Sequence, residues 1–197
     1  NVINECANPM GKRKLRNWLL NPLLNQEILK DRQDAVDFFY NDPILCNDNR
    51  DKIYEISDIE RIVGRIGVGS ANPKDLIALK DSLQRAIEIS VIINISEKTP
   101  NRIKYLYKKI QDFQNVREII EIINKSIDDD PPVITNNGGI IKTGYHSEVD
   151  ELRSLRHNSK QILLDIQKRE IARTNISSLK ISFNQVFGYY IEVTNTH

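Results

Sequence analysis

The sequence is poor in the residues that staple or interrupt a chain, with only two cysteines, eight glycines and seven prolines among 197 residues. Cys6 and Cys46 are too few to hold a chain of this length together and stand in no metal-ligand spacing. Both read as small reduced side chains, which points to a reducing compartment, the cytoplasm. Scarce glycine and proline imply long elements. No apolar run approaches the roughly 18 residues that a membrane-spanning helix needs, so no membrane is expected as a partner. Residues 1–11 lack a basic start with an apolar core, so no secretory leader is expected. Charge of one sign is also missing. The 28 Lys and Arg meet 27 Asp and Glu, a net +1, which argues against a globally basic nucleic-acid binder but leaves room for a local patch. The length fits one large domain or two small ones.

Helix punctuation fills the first two thirds. Asn8-Pro9 opens a helix with Leu15, Trp18 and Leu19 on one face, ended by Asn21-Pro22. Asn25 caps a second, whose stripe of Ile28, Leu29, Val36 and Phe39 has one polar member, Arg32. Asp42-Pro43 opens a third, running to about Ile56. Ser57 to Glu60 reads as a capping box for a fourth, with Ile59, Ile62, Val63 and Ile66 facing inward. Asn72-Pro73 with Asp75 opens a long fifth through Leu76, Leu79, Leu83 and Ile87. Two isoleucine-rich helices follow, near Asn101 to Phe113 and Val116 to Ile127.

Asp128-Asp129-Asp130-Pro131-Pro132 then stops the helical pattern. Val133-Ile134 and Ile140-Ile141 flank Asn136-Asn137-Gly138-Gly139 and predict a small hairpin. Ser147 with Asp150 reads as the cap of a helix unbroken from about Glu148 to Arg173, on the order of 40 Å long at the standard rise. Its thin stripe, Leu152, Leu155, Ile162 and Ile166, has the spacing of a seam made for one partner helix. From Leu179 the period becomes 2. Leu179, Ile181 and Phe183 alternate with polar residues, as do Tyr189, Ile191 and Val193, with Asn184 to Gly188 as the connection.

Candidate chemistry is sparse. Residues 152–180 carry seven cations against Asp165 and Glu170, a local surplus of five. On charge alone this is as consistent with a solvated helix face as with a polyanion-binding arm. His146, His157 and His197 share no spacing with a carboxylate or cysteine that suggests a metal or catalytic pair. No catalytic residue, cofactor-binding residue or metal ligand is assigned, and no enzyme is expected in this chain. Gly64-Arg65-Ile66-Gly67-Val68-Gly69 is no phosphate loop, because no strand precedes it. The Asp128 to Asp130 run reads as a solvated helix terminus.

Four separated segments together resemble the MutS family of DNA mismatch-repair proteins, in its bacterial form. They are Met10-Gly11-Lys12-Arg13 leading to Arg16-Asn17-Trp18-Leu19 and Pro22-Leu23; Asp58-Ile59-Glu60-Arg61 with Arg65 and Ala71 to Leu76; Asp130-Pro131-Pro132 with Gly138 to Tyr145; and Ile181 to Val193.

The resemblance implies a mainly α fold: a multi-helical core or lever domain over 1–152, then a long lever helix and the first antiparallel strands of an incomplete clamp domain over 153–197. It implies a fragment, without the family's mismatch-reading and connector domains and without its P-loop ATPase, so that ATP and Mg belong to a domain outside this chain. The implied partners are double-stranded mismatched DNA, a second copy in a homodimer, and a MutL-type repair protein. A second long helix of the family returns beside the first and would cover the seam. The clamp holds duplex DNA by backbone contacts, and the resemblance puts Asn184 at the DNA-facing hairpin, with Lys180 and Gln185 as lesser candidates. Asn184 is equally readable as a turn residue bonding its own backbone, Gly188 as a backbone hinge, and one of Tyr189 and Tyr190 as core. Arg13, Arg61 and Arg65 read as structural ion pairs or contacts to absent domains. A helical scaffold that binds proteins without touching DNA is the competing function.

Overall fold

The computed structural model describes residues 2–93, 95–111 and 114–195. Phe113, at the expected end of the sixth helix, and His197 lie outside the described residues. The chain divides into two compact units, Asn1–Lys142 and Thr143–His197. The boundary expected at 152 falls inside the long helix of the second.

The first unit is helical: α1 Pro9–Leu20, α2 Gln26–Tyr40, α3 Pro43–Tyr54, α4 Ile59–Gly67, α5 Pro73–Ile92, α6 Asn101–Gln111 and α7 Gln114–Ser126. The starts follow the local chemistry. Asn8 Oδ1 accepts from Gly11 N at 2.8 Å, Asn25 from Ile28 N at 3.1 Å, and Asp42 from Leu45 N at 3.0 Å. Asn72 and Asp75 form a reciprocal capping box around Pro73. Each side chain satisfies an amide that the first helical turn leaves without a partner.

α5 is the central element, packing against α3, α4, α6 and α7. Leu79 is buried there, with Ile62 of α4, Ile103 of α6 and Ile123 of α7. Ser82, also buried, donates to Ala78 O at 2.6 Å and accepts from Ser57 N at 3.0 Å. That second bond corrects the expected capping box. Ser57 is tied to α5 by its backbone, and Asp58 caps α4, accepting from Arg61 N at 3.3 Å.

The inward faces are narrower than expected. On α4 only Ile62 is buried, while Val63 and Ile66 are exposed. On α1, Leu15 is half-buried but Trp18 and Leu19 reach solvent. The Arg32 guanidinium lies 3.8 Å from the Trp18 ring centroid, which explains the polar residue in the stripe of α2: it stacks on an indole face. Cys6 and Cys46 are free and half-buried, and both line a cavity of about 530 Å³.

The three core arginines are ion-paired. Arg13 chelates Asp58 through both terminal nitrogens at 2.7 Å and also bonds Glu60. Arg65 grips Asp75, and Arg61 lies 3.5 Å from Asp58. The acidic run after α7 is met by lysines, Lys142 on Asp129 at 2.7 Å and Lys74 on Asp130 at 3.1 Å.

The hairpin expected around Asn136-Asn137-Gly138-Gly139 does not form. Thr135–Asn137 is a single 3-10 turn, and Ile141 instead pairs antiparallel with Ile127 through an isolated bridge. Asp128 N donates to Ile140 O and Lys142 N to Ser126 O, both at 2.8 Å. A hairpin of two-residue strands is marginal, whereas the end of α7 offers 140–142 backbone partners on both sides of Ile127.

In the second unit α8 runs from Ser147 to Thr174 and is followed by β1 Lys180–Asn184 and β2 Gly188–Glu192. The start of α8 differs from expectation. His146 holds the cap position without a side-chain bond, and Asp150 reaches back to accept from Gly144 N at 2.6 Å. Asn175, at φ 58, closes the helix in the left-handed conformation, its amide donating to Ile171 O at 2.8 Å. Leu152, Leu155 and Ile162 are 60%, 59% and 58% exposed, while Ile166 is half-buried. No helix is long and apolar enough to cross a membrane among the described residues.

Candidate nucleic-acid interface

The hairpin is built by alternation. Its antiparallel register sets Lys180 opposite Glu192, Ile181 opposite Ile191, Ser182 opposite Tyr190, Phe183 opposite Tyr189 and Asn184 opposite Gly188. Leu179 is buried just before β1, and Ile181 N donates to Gln167 Oε1 of α8 at 3.1 Å, so one strand is fastened to the helix. On the face of Ile181 and Phe183, the Phe183 and Tyr189 rings meet at 5.0 Å between centroids. Tyr189 and Tyr190 are both exposed, which corrects the expectation that one is core. A two-stranded sheet with one helix beside it has nothing to cover its second side.

The three candidate residues fall on the strand and its turn. Lys180 and Asn184 share a face, four residues and so about 13 Å apart along β1. Lys180 is exposed, and Gln185 is exposed at the start of the turn. Asn184 Oδ1 accepts from Val186 N at 3.0 Å and Phe187 N at 2.7 Å, an Asx turn that closes the hairpin. Gly188 follows at φ 73, a conformation that glycine adopts without a steric cost. The carbonyl side of Asn184 is thus committed to its own backbone, whereas its amide nitrogen has no hydrogen-bond acceptor among the described residues. An outward N–H₂ beside a tight turn is a donor suited to a phosphate oxygen.

Two features escaped the sequence reading. Val186 and Phe187 form an apolar tip, 81% and 78% exposed. The alternation pattern stops at the turn and assigns them no side. The cations of α8 are also unequal. Arg153 pairs with Asp150 at 3.1 Å and Arg173 with Glu170 at 2.7 Å, holding the Glu170 carboxyl below its usual range. Arg156, Lys160, Lys168 and Lys180 have no ion-pair partner among the described residues. Among the described residues of this unit Glu148, Glu151, Asp165 and Glu192 likewise have no ion-pair partner, so those four cations are balanced in number by carboxylates elsewhere in the unit.

The glycines from Gly64 to Gly69 do not form a phosphate loop. Gly64 and Gly67 lie inside α4, where their amides are spent on helical bonds, and no lysine follows Gly69 to reach a phosphate. Among the described residues no group of three or more His, Cys, Asp and Glu is placed to hold a metal ion.

The family model for MutS domain III matches residues 1–185. A curated DNA mismatch repair protein MutS of Methanosarcina mazei is 44% identical over 189 residues, covering 96% of this chain and 21% of that protein. Relatives of the same description from Methanosarcina barkeri and Carboxydothermus hydrogenoformans are each 40% identical, covering 100% of this chain and 22% and 23% of their own lengths. The chain thus spans about a fifth of the length of the curated relatives it matches.

Proposed function

The chain belongs to the MutS domain III family, and from this we propose that it works as part of a DNA mismatch-repair protein, as the core of that protein and the beginning of a clamp on double-stranded DNA. The clamp holds mismatched duplex by its backbone, without reading sequence. Asn184 donates its amide hydrogens to a phosphate oxygen, with Lys180 and Gln185 beside it. A sliding contact of this kind needs donors and modest positive charge rather than base-specific groups. ATP and Mg act in another region of the whole protein, which works as a homodimer with a MutL-type partner. The exposed seam of Leu152, Leu155 and Ile162 then receives a further helix of the same protein.

The observation that carries the DNA reading is the division of labour within Asn184: an oxygen fixed by the turn and an amide nitrogen left to donate. Its test is duplex binding by the whole repair protein with two substitutions. Asn184→Asp keeps the turn acceptor and removes the donor, so affinity falls about tenfold, equally for all duplex sequences. Asn184→Ala loses both without adding a charge and also binds more weakly than the parent, which separates loss of the donor from repulsion by the new carboxylate. Unchanged affinity in Asn184→Asp favours the competing reading, a helical scaffold without DNA contact.

A further inference from the structure

From Lys98 to Gln111 the sequence has five cations and no carboxylate. This stretch includes α6, which turns Ile103 into the core and leaves Arg102, Tyr105, Leu106, Lys108 and Lys109 exposed. Arg102, Tyr105 and Lys109 follow one another at helical spacing, so the two cations stand one on each side of the ring, about 10 Å apart along the axis. Their charged ends lie 6.0 and 5.7 Å from the Tyr105 ring centroid. That is the outer limit of a cation–π contact, loose enough for either cation to swing away.

Elsewhere in this unit some basic residues draw carboxylates, although Lys12, Lys14 and Arg16 of α1 have no ion-pair partner among the described residues. Arg13 brings Asp58 and Glu60 onto α1, the other acid-free basic helix, and Arg85 holds Glu55 and Glu88. On α6, Arg102, Lys108 and Lys109 have no ion-pair partner among the described residues, although α2, with Glu27, Asp31, Asp34 and Asp37, packs against this helix. Lys104, one turn before Lys108, is occupied with Glu97 O at 3.0 Å. The exposed face thus combines unneutralised charge with a Tyr105 ring that is 54% accessible.

We propose that this face of α6 binds single-stranded nucleic acid, with Arg102, Lys108 and Lys109 on phosphates and Tyr105 beneath an unpaired base. An acidic peptide supplies charge but nothing planar to lie on the ring. A duplex supplies phosphates, but its bases are stacked on one another and closed to a side chain on a convex helix. A single strand offers both at once, and base stacking on an aromatic side chain is tolerant of sequence. The site lies in a different unit from the hairpin and does not rest on the role given to Asn184.

The test is fluorescence anisotropy of a labelled oligothymidylate of about 20 nucleotides titrated with the 197-residue chain. With three phosphates engaged, affinity falls roughly 20-fold between about 50 and about 200 mM salt. Tyr105→Ala weakens binding about tenfold, Tyr105→Phe leaves it unchanged because the ring remains, and the Arg102→Ala, Lys109→Ala pair weakens it at least about tenfold. Lys14→Ala, which removes an exposed cation of α1, leaves it unchanged, so that general positive charge is separated from this face. These positions are exposed, and unchanged far-ultraviolet circular dichroism verifies that each variant is folded. The proposal is overturned if the strand does not bind, if Tyr105→Ala binds as the parent does, or if polyglutamate or a duplex of equal length competes as well as the single strand.

Discussion

Asp58 illustrates how one side chain ties the first unit together at the scale of residues. It caps α4 and receives two bonds from Arg13, which hold its carboxyl at about 2, below the ordinary 3.8. A carboxylate with a depressed value in the folded state contributes stability that is complete above its unfolded value and lost as pH falls through the folded one. The urea midpoint should therefore decline between about pH 5 and about pH 2, and Arg13→Ala should flatten that part of the curve. A pH profile identical in the variant would remove Asp58 as the cause. Asn72→Ala opens the capping box of α5 and should cost about 1 kcal/mol, measurable by the same denaturation. Residues with local partners were legible in the sequence: Asn8, Asn25, Asp42 and Asn72 bond three positions away, a distance that spacing alone reveals. Ser57 was misread because its partner, Ser82, is 25 positions off, and no spacing rule reaches that far. The pairing of Arg13 with Asp58, across 45 positions, was foreseen only as ion pairing in general.

At the scale of elements, helices and strands were readable from period, and their orientation was less so. The stripe of α4 has four apolar residues, yet only Ile62 meets α5 closely enough to be buried. Ile62→Ala should cost about 2–5 kcal/mol, because it removes a branched side chain from a filled site. Leu155→Gln should change stability by less than about 0.5 kcal/mol in this chain, since that position is already in water. Comparable losses at the two positions would mean that α8 is covered after all. Helical periodicity marks the side of a helix that wants a partner, and it is silent on whether the partner belongs to the same 197 residues. The hairpin expected near Asn137 failed for a related reason. The turn signal was real, but strands of two residues make a marginal hairpin, and the end of α7 offered Ile141 a backbone partner. In the candidate interface the resemblance singles out Asn184, while the two bonds that commit its side-chain oxygen to the turn required coordinates.

For the whole molecule, the two units differ in how much they bury. Among the described residues the buried apolar side chains include Ile62, Leu79, Ile103, Ile123, Ile127 and Pro131 in the first, whereas Leu179 is the one in the second. Hydrogen exchange followed by mass spectrometry should therefore show amides of α8 and the hairpin exchanging before those of α5, since local opening is easiest where few apolar contacts must break. Uniform protection across both units would contradict this. The near-neutral total charge takes on meaning at this scale as well. It averages the ion pairs of the first unit and the mixed charges of α8 with one face, on α6, where cations stand without carboxylates on their own helix.

The caps described for α1, α2, α3 and α5 bear on how the chain acquires its form in time. Each is made by a side chain and an amide three residues apart, so its loop closes at almost no entropic cost and in far less than a microsecond. A chain leaving the ribosome at about 5–20 residues per second has each such start defined long before α5 has been made for α3 and α4 to pack upon. The local signals for these helix starts are thus available during synthesis, while the helices themselves become stable when tertiary contact covers their faces.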